Sequence, residues 1–493
     1  MRLDELVRVA DGAQIVGDGS VEILELAYDS RKARPGTLFF CVPGEKVDGH
    51  DFAAEVVGHG ASALVVERTL EVDVPQVVVA DARAAMAPLA ARFWGEPSRD
   101  LQVVGVTGTN GKTTTAFLIR EILEGDRIAC GLLGTVKQVV GGVEEEVERT
   151  TPEAIELQAT LRRMLEGGDR ACAMEVSSHA LALHRCDAIE FEAAVFTNLT
   201  QDHLDFHEDM EDYFLSKRRL FEMGPGTAIV NVDDPYGRRL AEEFECVTFS
   251  AEGAEADYSA GEVSFDAGGS QFTVSMGRNR PNRGRNRPIG GELRVRIGLP
   301  GHFNVANALG ALAAAVALGV PPKRAAAGLE RAGQVPGRFE PIDEGQGFAV
   351  LVDYAHTPDS LENVLRAARR LTAGRVIAVF GAGGDRDRDK RPKMGRAGAE
   401  LADLAIVTSD NPRSEDPAAI VAEVAAGAGG GVEIEVDRRA AIARALAAAE
   451  PGDTVVIAGK GHEQGQEFGG GLKVPFDDRE VAREELRKLG SPA

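Results

Sequence analysis

The run Val103-Val104-Gly105-Val106-Thr107-Gly108-Thr109-Asn110-Gly111-Lys112-Thr113-Thr114 constrains the fold more than any other, because a glycine-rich turn and a lysine stand between an apolar strand-like run and a helix. In the helix, Leu118, Ile119, Ile122 and Leu123 share one face. A strand, turn and helix in this order aim backbone N–H groups into one concavity, which is the form of a phosphate cradle. Gly108, Thr109, Asn110, Gly111, Lys112, Thr113 and Thr114 are therefore the candidate nucleotide-binding residues. Lys112 would reach the outer phosphates and the Thr113 hydroxyl would ligate magnesium. The motif is not strict, since Val106 stands where the usual pattern has glycine. A bare Gly-Lys-Thr would be a turn with a surface lysine; the flanking strand and helix favour the nucleotide.

At 493 residues the chain exceeds one ordinary core, and an α/β architecture in three domains is expected. Residues 1–99 alternate turns with short strands such as 37–42 and 63–66. Residues 100–335 alternate strands, among them 194–197 and 227–231, with helical pattern, as in a central P-loop ATPase domain built on a parallel sheet. Residues 336–493 carry four apolar runs, 348–352, 375–380, 404–408 and 454–458, spaced as in a Rossmann-like domain. The Arg-, Asn- and Pro-rich run 278–287, between expected strands 271–275 and 292–297, reads as a nucleic-acid contact or as a solvated hairpin loop. The Ala/Gly run 425–431 reads as a helix end with a flexible turn.

A formal net charge of −23 favours the hairpin loop, and it argues against nucleic acid or an anionic membrane as the main partner. Anionic substrates must then be held by local basic groups. The five cysteines, Cys41, Cys130, Cys172, Cys186 and Cys246, are scattered and read as reduced core residues. No apolar run approaches the roughly 18 residues of a membrane span. A monomer in the cytoplasm is expected.

Two further groups carry chemistry. Glu175-Val176-Ser177-Ser178-His179 and the stretch from Asn198 to His207 concentrate carboxylate and imidazole after apolar runs, where α/β sites collect. Glu175 and His203 could bind magnesium or a water near the γ-phosphate; taken singly, each is equally a polar strand cap. In the last domain, four loops follow four strands: Asp353-Tyr354-Ala355-His356, Gly383 to Asp387, Asp410-Asn411-Pro412-Arg413 and Gly459-Lys460-Gly461-His462-Glu463. In a parallel sheet the strand ends share one edge, so Arg386, Asn411, Arg413 and Glu463 could converge on a small zwitterion, with Asp410 and Gly459 in the same loops. The competing reading is that these are turn residues.

Gly108 to Thr113, Gly301-His302-Phe303-Asn304-Val305-Ala306-Asn307-Ala308, Gly337-Arg338-Phe339-Glu340 and Asp353 to His356 together resemble the Mur ligases, ATP-dependent amide-forming enzymes of peptidoglycan synthesis. Asp29-Ser30-Arg31, Thr150-Thr151-Pro152, Glu175 to His179 and above all Asp410 to Arg413 resemble the members that add meso-diaminopimelate to UDP-N-acetylmuramoyl-L-alanyl-D-glutamate. The resemblance implies that Ser30 contacts the uridine nucleotide and that Thr150, Thr151, Ser177 and Arg185 hold the muramoyl dipeptide. Where some members have glutamine two positions before that arginine, this chain has Leu183.

The resemblance also implies that Asn304, Asn307, Arg338, Asp353 and His356 serve ATP, and that the six residues of the last three loops bind the amino acid. Sequence alone makes Lys217 a solvated helix lysine. The family position instead makes it a carbamylated lysine, an N6-carboxylysine whose anionic oxygen suits magnesium. The implied catalytic set is Lys112, Lys217, His203 and Glu175, with Mg²⁺ and the cosubstrate ATP, and with Thr113, Glu175, His203 and Lys217 as metal ligands. Alternatives are the same reaction with L-lysine, folylpolyglutamate synthesis, against which Ser30 and Thr150-Thr151 weigh, and a P-loop ATPase or regulator without ligase chemistry, which leaves the arginine-bearing loops unexplained.

Overall fold

The computed structural model describes residues 1–44, 47–147, 149–266, 268–277 and 291–490; the run 278–287 lies outside the described residues. The chain forms two compact units. The first contains Met1–Thr107, Arg127–Ala194 and Ser216–Gly226, and the second contains Gly108–Asp126, Val195–Leu215 and Thr227–Ala493.

In the first unit, the strands Glu25–Ala27, Thr37–Phe40, Ala63–Val66 and Gln76–Val78 pair in parallel, and Gln14–Val16 closes the edge antiparallel. Side chains alternate across a strand. Leu38, Phe40, Ala63 and Val65 therefore face one core, with the helices Ala82–Phe93 and Ala154–Glu166, while Phe39, Cys41, Leu64 and Val66 face another with Ala53 and Val56. Both faces are covered, as a parallel sheet requires. Asp81 starts the helix Ala82–Phe93 by accepting the N–H groups of Arg83 and Ala84, a cap worth about 1 kcal/mol. A second group of strands in this unit, Gln102–Thr107, Ala171–Glu175 and Cys130–Leu133, also runs parallel.

In the second unit, the strands Thr227–Asn231, Cys246–Ser250 and Tyr258–Asp266 run parallel, and Gly269–Met276 and Gly291–Ile297 continue antiparallel. The two strands that flank the arginine-rich run thus pair with each other. The last part of the unit is a six-stranded sheet in the order Glu340–Pro341, Ala349–Asp353, Thr454–Ala458, Val376–Phe380, Leu404–Val407, Glu433–Ile434, parallel except at its first strand. Val376, Ala378 and Phe380 pack under the helices Pro358–Leu371, Lys390–Leu401 and Pro417–Gly427; Ile377 and Val379 pack under Arg438–Ala448 and Asp478–Gly490. This is the doubly wound arrangement expected from the four apolar runs. The helix Pro417–Gly427 ends in a turn with Gly429 and Gly430 at positive φ, within the expected Ala/Gly run. All five cysteines are buried, and none forms a disulfide among the described residues. Among the described residues no helix is long and apolar enough to cross a membrane.

Candidate functional site

The strand Gln102–Thr107 ends where the glycine turn begins, and the helix Lys112–Gly125 follows with no side-chain cap on its first turn. Gly108 has φ 150° and Gly111 has φ 87°. A Cβ on Gly108 would lie 1.9 Å from Thr197 Oγ1, and one on Gly111 would lie 2.3 Å from Asn307 Oδ1, so space as well as φ demands glycine. The turn is latched to residues 197–200. Thr109 N–H donates to Asn198 O at 2.9 Å, Asn110 N–H to Asn198 Oδ1 at 2.9 Å, and Thr197 Oγ1 to Asn110 O at 2.6 Å. Lys112 Nζ folds back over the turn, donating to Gly108 O and Thr109 O at 3.0 and 2.9 Å. Asn110 Nδ2 also donates to Asp359 Oδ2 at 3.0 Å, and burial pushes that carboxyl up.

Other expected nucleotide residues stand around this turn. Arg338 Nη2 donates to Thr113 Oγ1 at 2.8 Å, and its guanidinium lies 4.4 Å from the Tyr354 ring centre. The hydroxyl expected to ligate magnesium therefore accepts a hydrogen bond from an arginine. Asn304 and Asn307 are buried in one chain of amide contacts: Thr115 Oγ1 to Asn307 Oδ1, Asn307 Nδ2 to Asn304 Oδ1, and Asn304 Nδ2 to Pro300 O. Asn307 backs the turn at Gly111, and Asn304 stands behind Asn307. Asp353 accepts Phe339 N–H and Ala355 N–H at 2.7 and 2.8 Å, and burial pushes its carboxyl up against these bonds. His356 stands 3.7 Å from Asp202, whose other basic neighbours are Lys390 at 3.7 Å and His203 at 3.4 Å. Burial raises the Asp202 carboxyl, yet these three groups outweigh it and hold it well below the carboxylate range.

The loops after the strands of the last sheet meet around Asn411. Its Oδ1 accepts Lys460 Nζ at 2.7 Å and Glu467 N–H at 3.0 Å, and its Nδ2 donates to Glu463 Oε2 at 2.8 Å. Lys460 is fully buried and also donates to Glu463 Oε2 at 2.9 Å, with Asp410 3.6 Å away. Asp410 is raised by burial and lowered more by Lys460 and Arg438, so it stays ionised. A Cβ on Gly459 would stand 2.8 Å from Asp410 Oδ2. Arg413 has left-handed backbone, φ 50°; its Nη1 donates to Gly384 O at 2.7 Å and its Nε to Glu467 Oε2 at 3.1 Å. Arg386 is more exposed, donating to its neighbour's carbonyl, Asp385 O. A Cβ on Gly383 would lie 3.0 Å from Arg413 Nη1 and 4.0 Å from Arg386 Cγ, so the two arginines flank that glycine. Asn411, Glu463 and Arg413 are thus brought together as expected, and Lys460 and Glu467 join them unforeseen. Lys460 lay inside a quoted motif; Glu467 carried no motif signal.

In the first unit, Glu175 is buried and accepts both Thr135 N–H at 2.7 Å and Thr135 Oγ1 at 3.1 Å; Thr150 Oγ1 lies 3.1 Å from that hydroxyl. Thr151 Oγ1 donates to Glu175 O at 2.9 Å and accepts Ser177 N–H at 3.2 Å. Ser177 in turn caps the helix Ser178–Ala182 by accepting Ala180 N–H. Arg185 donates to Thr151 O at 3.1 Å and pairs with Glu153 at 2.7 Å, while its buried Nε has no hydrogen-bond partner among the described residues. Thr150, Thr151, Glu175, Ser177 and Arg185 are one connected group. Ser30 opens the short helix Ser30–Lys32, which Asp29 caps. Lys217, in the helix Met210–Glu222, is only 1% exposed, against the sequence-only reading of a solvated lysine. Glu175 and Lys217 belong to the first unit, and His203, at φ 56°, to the second. Among the described residues no group of three or more His, Cys, Asp or Glu side chains is arranged to hold a metal.

Three family models match in succession: the Mur ligase family catalytic domain over residues 22–94, the Mur ligase middle domain over 106–315, and the Mur ligase glutamate ligase domain over 337–461. A UDP-N-acetylmuramoyl-L-alanyl-D-glutamate--2,6-diaminopimelate ligase of Streptomyces coelicolor is 48% identical over 500 residues, 98% of this chain and 96% of its own. The enzyme of the same name from Gloeobacter violaceus is 46% identical over 507 residues, covering 100% and 99%. A solved structure of a ligase of that name superposes with a TM-score of 0.70 at 31% identity over the full length of both chains. With these models spread along it and such relatives aligned nearly end to end, the chain belongs to the Mur ligase family.

Proposed function

We propose that this chain is an ATP-dependent, ADP-forming ligase that joins meso-diaminopimelate to UDP-N-acetylmuramoyl-L-alanyl-D-glutamate, acting in the cytoplasm as a monomer. The observation that carries the amino-acid assignment is the cluster around Asn411: a guanidinium from Arg413 and a carboxylate from Glu463, held by a buried lysine, suit the carboxylate and ammonium of one zwitterionic centre. The relatives named for diaminopimelate agree with it.

In this reading the D-glutamate side-chain carboxylate attacks the γ-phosphorus of ATP. The bond to the β-phosphate oxygen breaks, ADP leaves, and an acyl phosphate forms. The amine of diaminopimelate then attacks the acyl carbon; phosphate departs and the amine proton passes to a base. The backbone N–H groups at the start of the helix Lys112–Gly125 and Lys112 stabilise the phosphoryl charge, so catalysis is mostly positioning and electrostatics. Arg338 holds Thr113 and Tyr354 beside the turn, with Asn304, Asn307, Asp353 and His356 shaping the nucleotide pocket. Ser30 serves the uridine nucleotide; Thr150, Thr151, Ser177 and Arg185 serve the dipeptide, for which the unpartnered Arg185 Nε is a ready donor.

The proposed magnesium ligands are Glu175 and carbamylated Lys217 in the first unit, and Thr113 and His203 in the second. The side chains fit a hard cation in kind: Glu175 and Thr113 offer oxygens, and carbamylation would turn the buried Lys217 from a cation into an oxygen donor. Magnesium, when bound, draws charge from the transferring phosphoryl group.

Phosphate release by the purified chain tests the function. Release that requires both the UDP-linked dipeptide and diaminopimelate, with L-lysine a poor substitute, is the expected result. Release with ATP alone would instead support an ATPase or regulator.

A further inference from the structure

Arg413 does not stand by itself in its loop. The strand Gly465–Phe468 runs beside it: Gln466 Nε2 donates to Asp410 O at 2.6 Å, Glu467 N–H to Asn411 Oδ1 at 3.0 Å, and Arg413 N–H to Glu467 O at 3.0 Å. Successive residues of this strand thus grip successive residues of the loop. The grip matters because Arg413 holds a left-handed backbone that arginine disfavours and that only surrounding contacts can maintain. Glu467 then adds its side chain, taking Arg413 Nε while Gly384 O takes Nη1.

A guanidinium has five N–H groups in one plane. Two anchors on different nitrogens fix that plane and its rotation, and both hydrogens of Nη2 remain for a ligand. Glu467 meets the guanidinium at one point, through Nε, so it does not occupy it as a bidentate carboxylate would. Its side chain is 47% exposed and that of Arg413 25%, so the pair adds little to fold stability and its removal spares the core.

We propose that Glu467 is a positioning residue that aims the Arg413 guanidinium at the substrate carboxylate and so sets the affinity for diaminopimelate. This rests on the reading of Arg413 given above. Steady-state kinetics of the full-length enzyme, varying each substrate in turn, test it. In Glu467→Ala the KM for diaminopimelate rises about 10-fold, the loss expected for one partly exposed hydrogen bond to a charged group. The kcat stays within about twofold, and the KM values for ATP and the UDP-linked dipeptide do not move, as they would if the fold were damaged. Glu467→Gln keeps an oxygen for Nε and restores most of the affinity. Arg413→Ala/Glu467→Ala is no worse than Arg413→Ala alone, because Glu467 acts through that arginine. An unchanged or lowered KM in Glu467→Ala, with Arg413→Ala still impaired, overturns the proposal and leaves the reading of Arg413 intact; a lowered KM would mean that Glu467 competes with the substrate. An Arg413→Ala enzyme with normal affinity overturns that reading and the proposal together.

Discussion

Lys460 Nζ lies 2.7 Å from Asn411 Oδ1 and 2.9 Å from Glu463 Oε2, in an interior where the lysine has no exposed surface. One buried cation therefore sets the orientation of two side chains expected to hold the amino acid. Lys460→Met should leave Glu463 without its cation and Asp410 with Arg438 as its main remaining one, and cost about 3–5 kcal/mol, the usual result of breaking a buried pair. Lys460→Met/Glu463→Gln removes one charge of each sign and should recover part of that stability, while diaminopimelate binding stays weak. Urea unfolding and calorimetric titration separate the two effects. A single mutant as stable as the parent would show that the buried charge is otherwise balanced.

Lys112 folds over its own turn, where Gly108 and Thr109 carbonyls accept its ammonium. The turn keeps its separate latch to residues 197–200 whatever stands at position 112. Lys112→Ala should thus retain the parental melting temperature within a few degrees and lose at least ~100-fold in kcat, since the lysine acts on charge that develops in the transition state. Appreciable turnover by a pure, folded mutant would remove Lys112 from the mechanism.

Lys217→Ala should be nearly inactive in phosphate release and regain a fraction of activity with added formate or acetate, small carboxylates that can occupy the place of a carbamate. Wild-type enzyme in carbonate-free buffer should likewise lose activity and recover it with bicarbonate. If the alanine variant works as well as the parent without bicarbonate, no carbamate is involved.

Much of the fold is legible in the sequence, because long apolar runs answer to local rules. The expected strands 375–380 and 454–458 are found as Val376–Phe380 and Thr454–Ala458. The strand, glycine turn and helix from Gln102 to Gly125 were readable for the same reason. Lys217 was readable only in hindsight: it is one turn after Tyr213 and one turn before Leu220 and Phe221, all buried, so it sits on the apolar face of its helix. Adjacent Arg218 and Arg219 hid that spacing. Lys460 and Glu467 could not be found locally at all, since the partners that define them, Asn411 and Arg413, are 49 and 54 residues away. Burial of a charge is set by tertiary contacts, and a single sequence does not state them.

Asp453 makes one part of the fold's stability depend on acid. It accepts the backbone N–H groups of Arg375 and Glu450 at 2.7 and 3.0 Å, and its pairing with the Arg375 guanidinium adds to these; together they lower its carboxyl from 3.8 to about 2. A carboxyl depressed by folding binds its proton more tightly in the unfolded chain, so its contribution is complete above about pH 4 and lost as pH falls toward 2. Asp453→Asn should be less stable than the parent at pH 7, with the gap closing between pH 4 and 2. Thermal melts across that range measure it; a gap that stays constant with pH would mean that geometry, not ionisation, is what Asp453 supplies.

Amino-acid choice turns on Arg413. Diaminopimelate differs from lysine by one carboxylate, and the Nη2 group left over by Gly384 and Glu467 is where a carboxylate would meet the guanidinium. A charge-assisted contact of that kind, largely desolvated once substrate is bound, is worth on the order of 2–5 kcal/mol by truncation, hence at least a ~30-fold loss in kcat/KM. Lysine has no group for this contact. Arg413→Ala should therefore depress diaminopimelate addition strongly and leave the poor lysine reaction unchanged, or improve it by removing an unmatched cation. Backbone strain is a competing cause, because alanine at φ 50° is as disfavoured as arginine. Arg413→Gly relaxes that strain and still lacks the guanidinium, so it should lose diaminopimelate activity to the same extent. Recovery in the glycine variant, or equal losses with both amino acids, would show that Arg413 shapes the loop and does not read the substrate.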